Sequence, residues 1–348
     1  MQDVTSTWTA VKYVATRGPV KIWEDICDLI IRPPRASYNV ASLGPRIFRV
    51  DYHSTARYER RDIVVENMRG MKLQCSWYVP LEDDDEPPEF GMTTERTGGP
   101  GDGADTEAPA EGGPSPPPRR LRHPRPCVVY LHGNAGGRLD GQEALPVLAA
   151  GFTLFTYDAS GSGQSDGDYC TLGYYERQDL AAVVEYLHGS RSVTAISLWG
   201  RSMGAVTAIM YASRDPSIKC IVCDSPFSRL RDLVHDLVQS RWVPTALVSF
   251  VVGQVKCSIA SRAALDIDDL DTLKYAALCT ATPAFIFHGE DDDFVQPKHS
   301  LAVCEAYASP TKSYALVEGD HNSRRPHVII QAVVKFLKQH NGMLPALA

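Results

Sequence analysis

From Cys127 onward, short apolar runs and longer helical patterns alternate with a regularity that leaves few folds open. Strand-like runs fall at 127–131, 153–157, 193–199, 219–223, 284–288 and 313–317. Helical patterns lie between them at 141–150, 173–188, 203–213 and 298–308, and a last one covers 326–339. Such alternation requires a parallel sheet with helices on both faces, because strands apolar throughout must be covered on both sides. Upstream, 47–52, 62–66 and 73–79 read as antiparallel strands, and Asn67-Met68-Arg69-Gly70 supplies a turn between the last two. The expected fold class is therefore α/β, with a mostly parallel central sheet, antiparallel N-terminal strands and helices on both faces. A chain of 348 residues suits one large domain of this kind with additions.

Three additions stand out. Residues 1–45 form an N-terminal extension, helix-like over 10–31 with a break at Gly18-Pro19. Trp23, Ile26, Leu29 and Ile30 fall there at helical spacing, which suits docking on the body better than lying on a membrane, since no basic surplus accompanies them. Residues 82–126 change composition abruptly: 10 of the 45 are Pro and 7 are Gly, with acids in the first part and Arg119, Arg120, Arg122 and Arg125 at the end. Too few apolar residues remain to offset the entropy of ordering, so a disordered insertion is expected between two strands, 46–81 and 127–348 forming the body. Within it, Pro114-Ser115-Pro116-Pro117-Pro118-Arg119 fits a P-x-x-P-x-Arg ligand of an SH3-type partner, though a solvated linker is the plainer reading. The third addition, 225–282, follows a strand of the sheet. Its 230–239 stretch is amphipathic and 243–255 is mostly apolar, which reads as a helical cap or lid, while 266–271 reads as a solvated acidic loop.

Four motifs sit where the predicted strands end, the edge at which open α/β sheets carry their sites. Gly200-Arg201-Ser202-Met203-Gly204 joins an apolar strand to a helical run. That strand–turn–helix context is what a G-x-S-x-G nucleophile elbow needs: the serine projects from a strained turn, and Gly200 and Gly204 let strand and helix approach. His132-Gly133-Asn134-Ala135-Gly136-Gly137 follows the first parallel strand, the place of a loop that supplies an oxyanion-binding amide. His288-Gly289-Glu290-Asp291-Asp292-Asp293 offers carboxylates, and Glu318-Gly319-Asp320-His321-Asn322 offers a histidine before the last helix. His132 and His288 are read as loop-shaping side chains. The His residues are scattered and no H-E-x-x-H occurs, so neither a metal nor a cofactor is expected.

With Asp224-Ser225-Pro226-Phe227, these motifs span residues 127–340, and the chain resembles the α/β-hydrolases, more narrowly the intracellular eukaryotic serine hydrolases of the depalmitoylase and serine-aminopeptidase-like branches. The resemblance implies Ser202 as nucleophile, His321 as general base and then acid, and Asp292 as the group that orients His321. It implies the backbone amides of Met203 and Asn134 as the oxyanion hole, with Gly133, Gly200 and Gly204 permitting the close turns. Asp292 fits the family spacing His-Gly-x-x-Asp, and Asp224 is a rival position for the acid. The implied activity is hydrolysis of an acyl ester or thioester through an acyl-enzyme, with depalmitoylase-like thioesterase, peptidase and non-catalytic scaffold readings beside it. An acyl-bearing substrate is the implied partner.

Charge and cysteine usage bound the rest. The net charge of −7 does not suit a nucleic-acid partner. No apolar run reaches 18 residues, and the polar N-terminus lacks a signal-peptide core, so no transmembrane segment is expected. Nine dispersed cysteines suit reduced thiols in a cytoplasmic protein, with at most a peripheral membrane contact. Cys220-Ile221-Val222-Cys223 matches C-x-x-C, but in a strand its two thiols face opposite sides.

Overall fold

Along the first parallel strand, Cys127, Val129 and Leu131 enter one apolar cluster while Val128 and Tyr130 enter another. That division by residue parity is what a strand buried on both faces produces. In the computed structural model, which describes residues 19–51, 54–81, 120–239 and 245–344, nine strands form one sheet in the order β1-β2-β3-β5-β4-β6-β7-β8-β9. They are β1 (Ile47–Phe48), β2 (Tyr58–Glu66), β3 (Lys72–Pro80), β4 (Arg125–Leu131), β5 (Thr153–Tyr157), β6 (Val193–Arg201), β7 (Ile218–Asp224), β8 (Ala284–Gly289) and β9 (Lys312–Val317). The pairs from β1 through β3 to β5 are antiparallel, and those from β5 through β4 to β9 are parallel.

The helices sort onto the two faces as the strand pattern demands. One face is covered by α1 (Pro19–Ile31), α3 (Glu176–Gly189), α4 (Met203–Ala212), α5 (Leu230–Gln239), α6 (Thr245–Ala263), α7 (Thr272–Ala276) and α8 (Pro297–Ala306). The other carries α2 (Pro146–Ala149) and α9 (His327–His340), whose Ile329, Ile330, Val333 and Leu337 recur at helical spacing. Cys220 lies in this second core and Cys223 in the first, so their thiols are on opposite faces. All nine cysteines are free, and seven are buried.

Several boundaries differ from the sequence expectation for local reasons. The 47–52 strand shrinks to two residues pairing with the start of β2, whereas β2 extends back to Tyr58 because Tyr58 buries its ring and donates its hydroxyl to Leu148 O. Residues 141–150 are not one helix: a 3-10 turn at Arg138–Ala144 precedes the single turn of α2, divided where Pro146 withholds a backbone donor. Residues 120–126 belong to the body, since Leu121 is buried and donates its amide to Ser192 Oγ, and β4 begins at Arg125. The rest of the Pro/Gly-rich insertion, including Pro114 to Arg119, lies outside the described residues, as do residues 1–18.

The acidic 266–271 stretch is not simply solvated. Asp268 pairs with Arg231 and Lys256, and Asp271 caps α7 by accepting from the amides of Leu273 and Lys274 while it pairs with Arg229. After β7, α5 buries Leu230, Leu233, Val234, Leu237 and Val238. Val248, Val252, Val255 and Ile259 of α6 form one buried stripe. Helix α1 packs on α6: Cys27 Sγ lies 3.8 Å from Val255 O, and Asp28 pairs with Arg262. Among the described residues no helix is long and apolar enough to cross a membrane.

Two glycines set the tightest approach. A methyl group at Gly204 would lie 2.1 Å from Leu131 O, and one at Gly200 would lie 2.2 Å from the Gly204 carbonyl carbon. Both obstacles are backbone and cannot yield. Gly253, inside α6, faces open space. Gly204→Ala is therefore expected to destabilise the fold by about 3 kcal/mol or more, whereas Gly253→Ala should stabilise it by about 0.5–1 kcal/mol through helix propensity. Urea unfolding of both variants checks this. Equal midpoints would contradict the packing around the elbow.

Candidate active site

The site is built at the carboxyl ends of β4, β6, β8 and β9. Ser202 stands between β6 and α4 with φ 51° and ψ −113°, a conformation costly for a residue with a Cβ. Its amide donates to Asp224 O at 2.7 Å, which ties the turn to the end of β7. The strain directs the hydroxyl out of the sheet, and α4 presents its N-terminus there, where partial positive charge gathers.

His321, in the loop after β9, places Nε2 3.0 Å from Ser202 Oγ and Nδ1 2.6 Å from Asp292 Oδ2. Asp292 lies in the loop after β8 and is 3% exposed, whereas Asp291 and Asp293 face solvent. Its Oδ1 accepts from the amides of Phe294 and Val295. Burial by itself would raise the Asp292 carboxyl, but hydrogen bonds from His288, His321 and the Val295 amide outweigh it and hold the group well below the usual carboxylate range. Asp292 is thus ionised wherever the protein is folded near neutral pH. Nδ1 of His321 then carries the proton shared with Asp292, and Nε2 is left to accept from Ser202.

The loop after β4 closes the other side. A methyl at Gly133 would lie 3.7 Å from Ser202 Cβ, so this loop touches the elbow directly. His132 holds it in shape: Nε2 accepts from the Ala159 amide at 3.0 Å, and Nδ1 lies 2.7 Å from Gly133 O. Asn134 donates its side-chain amide to Leu29 O and Ile30 O at 3.0 and 3.2 Å. These are carbonyls at the C-terminal end of α1, which a helix leaves without internal partners. The N-terminal helix is therefore fastened to the loop that faces Ser202. Met203 opens α4 on the opposite side of the serine.

The structure thus brings together Ser202, His321, Asp292, Met203 and the Gly133-Asn134 loop. Asp224 is elsewhere engaged: its two oxygens accept from Nε and Nη2 of Arg325, each at 2.8 Å, and it does not reach His321. Sequence reasoning passed over Arg201 and Arg325. Arg201 Nη2 donates to both His321 O and Ser323 O at 2.8 Å, and its guanidinium lies 3.6 Å from both Asp224 and Glu143. Arg325 Nη1 donates to Asp320 O at 2.9 Å. These two arginines clamp the His321 loop to the ends of β6 and β7. A G-x-S-x-G pattern leaves the residue before the serine free, so nothing in the motif marked Arg201. Among the described residues, no group of three or more His, Cys, Asp or Glu could hold a metal ion.

Comparison with known proteins agrees with this architecture. A family model described as the alpha/beta hydrolase fold matches residues 126–252. The uncharacterized protein YqkD of Bacillus subtilis is 24% identical over 226 residues, covering 62% of this chain and 72% of that protein. The lysophosphatidylserine lipase ABHD12 of Rattus norvegicus is 25% identical over 199 residues, covering 54% of this chain. The chain spans only 47% of that lipase's length. Among solved structures, the Pyrococcus furiosus esterase Pf2001 superposes with a TM-score of 0.58 over 88% of this chain and 98% of its own, at 20% identity. The chain thus has the α/β-hydrolase fold, and its residues 126–252 match the family model of that fold.

The Asp224–Arg325 pair is fully buried, so removing Arg325 leaves the Asp224 carboxylate with only the more distant Arg201 as a cation. Arg325→Met is expected to cost about 3–5 kcal/mol of stability, and Asp224→Asn in the same chain should restore part of it. Urea denaturation of both singles and the double tests this. Additive losses would show that the two groups are not coupled.

Proposed function

We propose that this protein is a serine hydrolase that cleaves carboxylic esters of acyl chains through an acyl-enzyme on Ser202. The observation that carries this reading is the continuous hydrogen-bonded chain from Ser202 Oγ through His321 to Asp292 Oδ2, anchored at a serine of positive φ. The roles follow from the geometry. His321 Nε2 takes the Ser202 proton as Oγ attacks the acyl carbon, and the developing imidazolium is stabilised by ionised Asp292. The oxyanion of the tetrahedral intermediate is received by the amides of Met203 and Asn134, each donor contributing about 3 kcal/mol of transition-state stabilisation. His321 then returns the proton to the leaving oxygen, and a water repeats the sequence to release the acid.

Two features support an acyl ester within this class. The α5–α6 segment after β7, which we read as a cap over residues 225–282, is apolar on its buried side, with Leu233 and Leu237 of α5 and Val248, Val252 and Ile259 of α6. A relative of similar sequence is a lysophosphatidylserine lipase. A thioester would pass through the same acyl-enzyme, so a depalmitoylase-like activity differs only in the leaving group.

Turnover of p-nitrophenyl esters of increasing acyl length tests the proposal. Ser202→Ala should abolish hydrolysis while leaving the fold intact. Asp292→Asn should lower kcat about 10⁴-fold, because a neutral amide favours the wrong His321 tautomer. Rates that rise from acetyl to medium-chain esters are expected; a sharp preference for acetyl would overturn the acyl-lipid reading. Folded protein that hydrolyses no ester or thioester would favour a scaffold role.

A further inference from the structure

Asp292 is approached by two imidazoles, of which the catalytic scheme uses only one. His288, the last residue but one of β8, is fully buried, and its Nε2 lies 3.0 Å from Asp292 Oδ2 and 2.6 Å from Val295 O. Oδ2 is also the oxygen that meets His321 Nδ1 at 2.6 Å. Both neighbours of His288 Nε2 are acceptors, so this nitrogen must carry a proton that it shares between them. His288 Nδ1 is buried and has no hydrogen-bond partner. A proton placed there would be a buried donor without an acceptor on a buried cation, which is costly on both counts. The geometry therefore places the His288 proton on Nε2, shared between these two acceptors.

We propose that His288 is a positioning residue of the hydrolytic site: its Nε2–H fixes the Asp292 carboxylate toward His321 and draws off part of the charge that Oδ2 offers to the catalytic imidazole. This rests on the reading of Ser202, His321 and Asp292 given above. The argument is one of shared acceptors. A carboxylate oxygen divided between two N–H donors interacts less strongly with each than it would with one. His288 thus moderates how far Asp292 stabilises the His321 imidazolium.

The other charged groups around this pair are already engaged or exposed. Asp320, in the His321 loop, accepts from Ser323 and from the amides of Asn322 and Ser323. On β7, Asp224 is held by Arg325, which also lies against Gly289. On α8, Lys298 and His299 are paired with Asp236. Glu290, Asp291 and Asp293 flank Asp292 but face solvent. Among these described groups, His288 and His321 are the imidazoles that meet the Asp292 carboxylate.

The sign of the effect follows. Without the His288 donor, Oδ2 is fully available to His321 and the imidazolium form is favoured. Since the free base is the active form, the acid limb of the kcat/KM profile should move to higher pH. His288→Leu removes the donor; His288→Gln keeps an N–H at nearly the same reach. Both are assayed on p-nitrophenyl esters, with kcat normalised to the serine that a fluorophosphonate labels. For His288→Leu the expected result is a fall of about 10-fold or more in kcat, KM within about threefold of wild type, and an acid limb raised by about 0.5–1 unit. For His288→Gln the limb should return toward the wild-type position. An unmoved or lowered limb in labelled, folded His288→Leu protein would overturn charge sharing. Long-range proton–nitrogen spectra of the wild type give a readout that needs no variant: His288 should carry its proton on Nε2, with Nδ1 bare. A charged or Nδ1-protonated His288 would refute the proposal. Wild type that neither labels nor turns over would instead refute the hydrolase reading, leaving the tautomer result to stand by itself.

Discussion

The close approach of three backbones around Ser202 is the constraint on which the rest of the site depends. Gly204 packs on the carbonyl of Leu131 at the end of β4, and Gly200 packs on Gly204 across the turn. Only at that separation can α4 start directly beneath β6 and force Ser202 into a positive φ. A residue held this way costs about 1–3 kcal/mol, and the cost is borne by the parallel pairing of β4, β6 and β7 and by the buried face of α4. The same approach brings the Gly133-Asn134 loop against the serine. The strain at Ser202 and the placement of the Gly133-Asn134 loop are thus two consequences of one packing contact.

Buried charge does the second part of the positioning. The His321 loop is held by donors to its carbonyls: Arg201 to His321 and Ser323, Arg325 to Asp320. Arg325 and Asp224 neutralise each other, while Glu143 and Asp224 balance Arg201. Burial raises the Glu143 carboxyl, and the Arg201 charge beside it opposes that rise. Such a cluster is weak evidence for stability taken as a whole, because desolvation offsets much of the attraction. Its value is geometric: it fixes the His321 imidazole relative to a serine more than a hundred residues away in sequence.

Much of this was legible before any coordinates. The apolar run at 127–131, the alternation that follows, and four motifs at strand ends led to the parallel sheet and to the residues that meet at its edge. The spacing from His288 to Asp292 separated one acid from its exposed neighbours Asp291 and Asp293. What was not legible has physical causes. The division of 141–150 depends on where Pro146 falls in a turn, not on apolar period. The extension of β2 to Tyr58 depends on a hydroxyl reaching Leu148. Arg201, Arg325 and His288 owe their roles to long-range contacts with groups that no local pattern connects. The acidic 266–271 stretch read as solvated because its partners, Arg229, Arg231 and Lys256, sit on other elements.

The N-terminal helix adds a feature outside the hydrolase core. By accepting from Asn134 at Leu29 and Ile30 and packing on α6, α1 links the helices after β7 to the loop that faces Ser202. The central claim is still that Ser202 is activated by His321 held on Asp292. Fluorophosphonate labelling with peptide mapping tests it most directly. The account predicts one adduct, on Ser202, formed by wild type and lost in His321→Ala protein that remains folded. An adduct on another residue, or equal labelling without His321, would contradict it.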